Sequence, residues 1–358
     1  TELRTEGGSR SLTLRKIKVN KHQKLKDEQI VGGKEGWFIY SHKEFIAKYF
    51  FDKDKGMLTK TALQGDATGF AFFSEPFAEG AERIVYRCTN ITIPPEYFVE
   101  WYQAHWTKAT GASFMKAVRC GLRLVAKEAK DEENLVKGRA FHEQFARIQL
   151  DASLLATQFN QRLRVLLPVV AQSRQWHVSF LPVFVYQCFD ITYTDNTAWV
   201  LVEPELDGKF TKWNNNAGAV LRSVAPTRGR DIVDASSHSD LTVAMSSLGL
   251  GAIHENEEDE EEDDGEMDIR EMDVQEVPQA FSHYSFEASN GKQLVCDLQG
   301  TWNSADGFIL TDPVVHYISK SGRKHKNGAT DKGSDGVVKF FKTHVCGILC
   351  TSMGLKKH

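Results

Sequence analysis

Three potential metal ligands stand within seven residues near the end of the chain: His344, Cys346 and Cys350, in the pattern H-x-C-x3-C. Imidazole and thiolate are the donors zinc prefers, and a tetrahedral structural site needs one further ligand to close. His283 is the candidate for that position. No other feature constrains the fold as strongly, because a closed site would hold residue 283 and residues 344–350 in one small lobe. The same region carries Asp297-Leu298-Gln299-Gly300 and Thr311-Asp312-Pro313. Their carboxylates suit Mg²⁺ and the deprotonation of a hydroxyl, the chemistry phosphoryl transfer requires.

With 358 residues, 41% of them hydrophobic and 11% aromatic, the chain can bury one large core or two smaller ones and is no disordered scaffold. Residues 255–264 (ENEEDEEEDD) hold nine carboxylates and no base; removing those nine from the overall −4 leaves +5 for the rest. A mildly basic folded part suits an anionic ligand such as ATP, but the excess is too small and scattered for a nucleic-acid interface. Six cysteines are few for this length, and Cys88, Cys120, Cys188 and Cys296 sit among apolar neighbours as buried thiols do. A reducing, cytoplasmic setting is expected. No window approaches the apolar length of a membrane span, and the first residues have no signal-peptide core.

Residues 1–60 read as a flexible arm ending in an aromatic docking segment, GWFIYSHKEFIAKYFF. From residue 61 onward, short apolar runs at Ile84–Tyr86, Leu122–Ala126, Leu181–Tyr186 and Trp199–Val202 predict an antiparallel sheet. Apolar residues at Phe141, Phe145, Ile148, Ala152, Leu155, Phe159, Leu163 and Leu166 recur at three and four, predicting a long amphipathic helix. That stripe is core packing, with Glu143 beside it as the polar neighbour placed to support chemistry. Residues 225–278 read as a mobile, acidic insertion. After it, HYSFEAS, an Asn290-Gly291 turn and Gln293–Cys296 predict a hairpin that presents Asp297 at its end.

Taken singly, the remaining candidates have bland explanations. Asp297 and Asp312 stand where turns begin, and Lys127 could be a surface lysine at a strand edge. Gly80, with Arg83 just beyond, could be an ordinary hairpin glycine or a cradle for phosphate. Asn214-Asn215-Asn216 after Lys212 could be a plain loop or could orient phosphates; Glu203 ends an apolar strand where a base could be received. His316, beside the TDP turn, suits a surface or a cleft.

In order along residues 61–355, PFAEGAER, VAK, a long helix ending Gln158-Phe159-Asn160, EPELDGKFTKWNNNAG, FSHYSF, DLQG, TDP and KFFKTHVCGILC resemble the alpha-kinase family of atypical protein kinases. The resemblance implies a two-lobed α+β kinase-like fold, with an antiparallel-sheet N-lobe (61–205) and a zinc-stabilised C-lobe (206–355). It implies a Ser/Thr protein kinase using ATP, Mg²⁺ and structural Zn²⁺, with a protein as phosphoacceptor. By the same resemblance Lys127 neutralises the nucleotide phosphates, Gly80 and Arg83 form the flap over them, and Glu203 meets the adenine. Lys212 and Asn216 match an active-site K-x-x-x-N pair, Asp297 the catalytic aspartate, Gln299 a Mg²⁺ ligand and Asp312 a second acidic ligand that some members phosphorylate. His283, His344, Cys346 and Cys350 match the four zinc ligands.

Three departures stand out. The connection from DLQG to TDP, TWNSADGFIL, is about five residues longer than the family's usual one. In the substrate loop formed by Gly328, Thr330 and Gly333, Thr330 stands where a glycine is common. Gly347 follows the first zinc cysteine where the family commonly has Asn. The longer connection motivates an alternative, a zinc-stabilised pseudokinase or ATP-binding module without turnover.

Overall fold

A computed structural model of the chain describes residues 37–41, 46–63, 65, 67–92, 119–189, 197–217, 219, 273–319, 321 and 325–358. All belong to one compact unit; a second, Arg222–Met272, lies outside the described residues and contains nearly all of the expected acidic insertion.

The larger sheet has eight strands, all paired antiparallel, in the order β1-β4-β5-β6-β9-β8-β2-β3. These are β1 (Trp37–Ser41), β2 (Ile46–Asp52), β3 (Met57–Thr61), β4 (Gly69–Glu79), β5 (Arg83–Thr92), β6 (Arg119–Ala129), β8 (Phe184–Phe189) and β9 (Thr197–Pro204). The four apolar runs singled out in the sequence contribute to β5, β6, β8 and β9, which form the middle of the sheet. The boundary placed at residue 60 needs correction, since β1, β2 and β3 are strands of this sheet, and Ile46 and Leu58 are core residues. A hairpin signal was present there: Asp52 accepts from the amides of Asp54 and Lys55, and Gly56 supplies the positive φ (66°) that turns β2 into β3.

Alternation along each strand sorts the sheet into two faces. One collects Phe70, Phe72, Tyr86, Leu124, Ala126, Tyr186, Val200 and Val202 into a core. The other presents Val185 and Leu201, which pack with Leu58 and with Ala146 of the long helix. Two short helices flank that long one: α1 (Glu132–Lys137), α2 (Arg139–Leu166) and α3 (Pro168–Ala171). The three-and-four spacing is borne out through Leu163, with Phe141, Ile148, Ala152, Phe159 and Leu163 of α2 buried and Phe145 and Leu155 half-buried, whereas Leu166 at the helix end is exposed. Each of the larger of these buried side chains contributes ~1.5–3 kcal/mol.

Beyond β9 the chain builds the second lobe. A four-stranded sheet runs β10 (Thr211–Lys212), β12 (Gln299–Asn303), β13 (Gly307–Thr311), β7 (Val178–Phe180), with β13 and β7 parallel. A two-stranded ribbon pairs β11 (Gln293–Cys296) with β14 (Val314–Tyr317). Against these lie α4 (Val277–Ala288), α5 (Ser334–Thr343) and α6 (Ile348–Ser352). The hairpin expected from HYSFEAS is instead the second half of α4 followed by a turn into β11. Aromatic-rich residues suggested a strand, but Pro278 opens the helix and Val277, Ala280, Phe281 and Ser285 are buried along its face. The described residues include Asp273 and the turn and helix that follow it, ahead of residue 278, where the insertion was expected to end.

Candidate active site and metal cluster

Lys127 stands on β6 between β5 and β9, opposite Val85 and Leu201. Alternation sends Ala126 into the sheet core and Lys127 to the face covered by α2, the face that also receives Leu201 and Glu203. Lys127 is therefore buried, not the surface lysine of the bland reading, and its Nζ lies 2.5 Å from Glu203 Oε1 and 2.6 Å from Asp312 Oδ2. The Thr311 hydroxyl donates to Glu203 at 2.7 Å, and Lys127 donates to the same hydroxyl oxygen at 3.1 Å. Gln149 of α2 completes this network, donating to Glu203 at 3.3 Å and accepting from the Asp312 amide at 3.2 Å.

Arg83, at the first position of β5, pairs with the other Asp312 oxygen at 2.9 Å and lies over the Phe145 ring, 4.0 Å from its centroid. Burial pushes the Asp312 carboxyl up, but the charges of Arg83 and Lys127 outweigh that and hold it below the ordinary carboxylate range. A buried cation, Lys127, and a partly buried one, Arg83, thus converge on one small volume of negative charge. Gly80 sits at the exposed tip of the β4–β5 hairpin; its own N–H is spent on the Arg83 carbonyl at 2.8 Å and is not free to hold a phosphate. Of the expected flap, Arg83 is the member that reaches the site. Glu203 likewise does not offer its carboxylate to a base, because Lys127, Thr311 and Gln149 use it.

The second half of the site lies on the smaller sheet. Asp297 follows β11 with φ 57° and Asp312 follows β13 with φ 51°, both in the left-handed region that few non-glycine residues adopt and that Asp tolerates better than most. Lys212 Nζ is 2.6 Å from Asp297 Oδ1, and the Gln299 side-chain amide donates to Asp297 Oδ2 at 3.1 Å and contacts the Asp312 carbonyl at 3.5 Å. Burial raises the Asp297 carboxyl above its ordinary value, Lys212 opposes that rise and Asp312 adds to it. A carboxylate so placed is a better proton acceptor than one in water. Asn216, half-buried four residues beyond Lys212, makes no side-chain hydrogen bond among the described residues.

The long DLQG–TDP connection is accommodated as a hairpin. Strands β12 and β13 pair from Gln299↔Thr311 through Asn303↔Gly307, so the added residues extend the tip while the base holds the two acidic turns together. Gly300 is required in that ladder, for a Cβ there would lie 2.1 Å from the Ile309 carbonyl oxygen.

His283, His344, Cys346 and Cys350 come together with all four ligand atoms within 4.8 Å of one another. His283 Nδ1 is 3.1 Å from His344 Nε2, Cys346 Sγ is 3.7 Å from His283 Nδ1 and 3.6 Å from His344 Nε2, and Cys350 Sγ is 3.6 Å from His344 Nε2. A tetrahedral zinc with metal–nitrogen bonds of ~2.0–2.1 Å and metal–sulfur bonds of ~2.3 Å separates its ligands by about 3.3 Å (N–N) and about 3.6 Å (N–S). The cluster therefore fits a metal ion of that size. Burial lowers the pKa of both imidazoles, His344 to about 4, keeping them neutral as ligands must be. His283 Nε2 lies 2.9 Å from the Lys356 carbonyl, fixing the tautomer that leaves Nδ1 free, and His344 stacks on Phe340. Gly347 has a physical reason of its own, since a Cβ would sit 2.2 Å from the Glu276 carboxylate.

In the substrate-loop region, Gly328 (φ 95°) packs on Gln144 and Gly333 (φ 57°) starts α5, with Thr330 half-buried between them. The organising residue is one the sequence did not single out. Asp331, fully buried, accepts from the amides of Tyr317, Asn327 and Gly333. His316 is also fully buried rather than at a surface, its Nδ1 accepting from the Lys332 amide and its ring pressed against Gly336. Gln149 was missed for a similar reason. A glutamine beside the apolar stripe of α2 reads as a neutral position, whereas Glu143, the polar neighbour favoured from sequence, is paired with Arg139 on the helix surface.

A central-strand lysine held by a buried glutamate, facing two acidic turns in a second lobe with a His/Cys cluster, defines an α+β fold of the atypical protein-kinase kind. The alpha-kinase family model matches residues 78–241 and 256–350, well over half of the sequence, and the chain belongs to that family. Among curated proteins it is 24% identical over 312 residues to Alpha-protein kinase 1 of Dictyostelium discoideum, covering 87% of this chain and 15% of the relative. It is 23% identical over 295 residues to Myosin heavy chain kinase A of the same organism, covering 78% and 19%. A shorter match, 39% over 79 residues, links it to human eukaryotic elongation factor 2 kinase, covering 22% of this chain and 10% of that one. The chain thus spans less than a fifth of the length of these relatives. The solved alpha-kinase domain of Myosin heavy chain kinase A in complex with AMP shares the fold, with a TM-score of 0.54 at 20% identity, covering 88% of this chain and 100% of that one.

Proposed function

We propose that the chain is an alpha-type serine/threonine protein kinase that transfers the γ-phosphoryl group of MgATP to a protein hydroxyl. The observation that carries this reading is the convergence of Asp297, Gln299 and Asp312 on the volume served by Lys127 and Arg83. Solved relatives described as complexes with AMP, ADP and ATP support the choice of nucleotide.

Lys127 and Arg83, which neutralise Asp312 in this structure, hold the nucleotide phosphates, and Glu203 keeps the Lys127 ammonium aimed at them. Asp297 accepts the proton of the substrate hydroxyl as its oxygen attacks the γ-phosphorus; the bond from that phosphorus to the bridging oxygen breaks and ADP leaves. Lys212 steadies the Asp297 carboxylate, and Asn216 lies within the same turn region. The oxygens of Asp297, Gln299 and Asp312 are the hard donor set that suits Mg²⁺, which would supply charge neutralisation on the phosphates. The His/Cys cluster is read as a structural zinc site, since four protein ligands leave no open position. A pseudokinase is less well supported, because the longer connection that motivated it is absorbed in the β12–β13 hairpin.

The test is transfer of label from γ-labelled ATP to a generic basic protein, comparing the wild type with Asp297→Ala. Strong incorporation by the wild type and loss in the variant is the expected result. Equal incorporation would remove Asp297 from the base role, and none by either would favour the module without turnover.

A further inference from the structure

We propose that Asn214 is a positioning residue that fixes the Asp297 turn against helix α4, a role that rests on the kinase reading above. Asn214 is fully buried, and both ends of its side chain are used. Its Oδ1 accepts from the Leu298 amide at 2.8 Å, the residue directly after Asp297. Its Nδ2 donates to Ser282 Oγ at 3.0 Å and to Gln279 Oε1 at 3.2 Å, both on α4.

The neighbours of Asn214 extend the same clamp. The Trp213 amide donates to the Leu298 carbonyl at 2.8 Å, while the Trp213 carbonyl accepts from Gln279 at 2.8 Å. Lys212 holds the Asp297 carboxylate itself at 2.6 Å. On the other side of the turn, Ser285 of α4 accepts from the Val295 amide at 2.8 Å. The backbone is therefore tied to α4 two residues before Asp297 and one residue after it. Between those ties Asp297 keeps φ 57°, a conformation that persists where surroundings enforce it. Removing the Asn214 side chain orphans the Leu298 amide in a buried place and frees the turn to relax, moving the base away from the substrate hydroxyl.

A half-buried asparagine that bridges two backbone groups away from the site offers the control. Asn160 of α2 also bridges two groups, donating to the Val178 carbonyl at 2.8 Å and accepting from its amide at 3.0 Å, with no contact to the Asp297 turn. Asn214→Ala and Asn160→Ala are compared with the wild type in steady-state kinase kinetics, and in hydrogen exchange of the peptide spanning residues 294–299. Asn214→Ala is expected to lower kcat about 10- to 100-fold, the effect of a misplaced reacting group, with KM for ATP within about twofold. Exchange over 294–299 accelerates. In Asn160→Ala, kcat and exchange over 294–299 stay at wild-type values even though the thermal transition falls.

The proposal is overturned if Asn214→Ala retains kcat within about twofold of wild type, or if its kcat falls no further than in Asn160→Ala. A loss expressed in KM for ATP alone also overturns it. Should the wild type transfer no phosphoryl group, the kinase reading fails, and unchanged exchange over 294–299 in Asn214→Ala would separately remove Asn214 from holding the turn. If Asn214→Ala does not fold, Ser282→Ala removes one of its two α4 anchors and carries the same comparison at smaller amplitude.

Discussion

Replacing Glu203 by glutamine tests the network beneath the site, because it preserves volume and removes one charge. Glu203 accepts from the Lys127 ammonium, the Thr311 hydroxyl and the Gln149 amide, and both Lys127 and Glu203 side chains are less than 5% exposed. A glutamine has one acceptor oxygen and an NH2 group, so it loses the charge facing Lys127 and presents N–H where the carboxylate accepted, a change that of the three partners only the Thr311 hydroxyl can accommodate by accepting. Breaking a buried, hydrogen-bonded pair from one side costs about 3–5 kcal/mol, a large part of the roughly 5–15 kcal/mol that holds a domain together. At a urea slope of about 3 kcal/mol per M, the unfolding midpoint followed by tryptophan fluorescence should fall by about 1–1.7 M.

Lys127→Met should be at least as damaging, since it leaves Glu203 and Asp312 facing one volume with Arg83 alone to neutralise them. The double variant Glu203→Gln/Lys127→Met should then be less destabilised than the sum of the singles, with a coupling of about 1–3 kcal/mol. Strict additivity, or a loss below about 1 kcal/mol for Glu203→Gln, would show that water screens the pair and that the buried network does not set the position of Lys127.

The metal cluster should yield about one zinc per chain on purification, and chelation should unfold the C-terminal lobe; an unchanged thermal transition in metal-free protein would contradict this. Asp297 has a folded pKa above its unfolded value, so its contribution to stability is fully present below the unfolded pKa and is lost as pH rises through the folded one. Asp297→Asn should therefore raise apo stability at neutral pH while abolishing transfer; a lower melting temperature would refute the sign. Shortening the β12–β13 tip by removing residues 303–307 and inserting a two-residue turn should leave kcat within about threefold, since Gln299↔Thr311 closes the base; loss of transfer with a folded protein would show that the tip itself acts. Gly336→Ala would place a Cβ 2.1 Å from the His316 ring and should cost about 1–3 kcal/mol by denaturation, with a null effect indicating that the ring moves freely.

Local chemistry made much of this protein legible without coordinates. The α2 stripe, the four central strands and the His/Cys cluster are periodicities and donor types, properties a segment carries wherever it folds. The same holds for Asp297 and Asp312, whose positions after apolar strands marked them as turn residues. The errors arose where local preference competes with burial. FSHYSF has the aromatic content of a strand, yet helix α4 buries Phe281 and aims His283 at the cluster. The aromatic segment before residue 60 looked detachable, but β2 and β3 complete the sheet edge.

What the sequence determined by itself is the set of groups able to bind zinc, hold phosphates and take a proton, because those capacities belong to side chains. Only the tertiary structure decided which of them meet. Gln149, Asn214, Thr311 and Asp331 are ordinary polar residues in sequence and become structural partners because folding deprives them of water. A buried donor or acceptor must find its complement within the protein, and for Gln149, Asn214 and Thr311 those complements lie tens to more than a hundred residues away along the chain. Pairings at that separation are set by how sheets and helices pack, which no local pattern records.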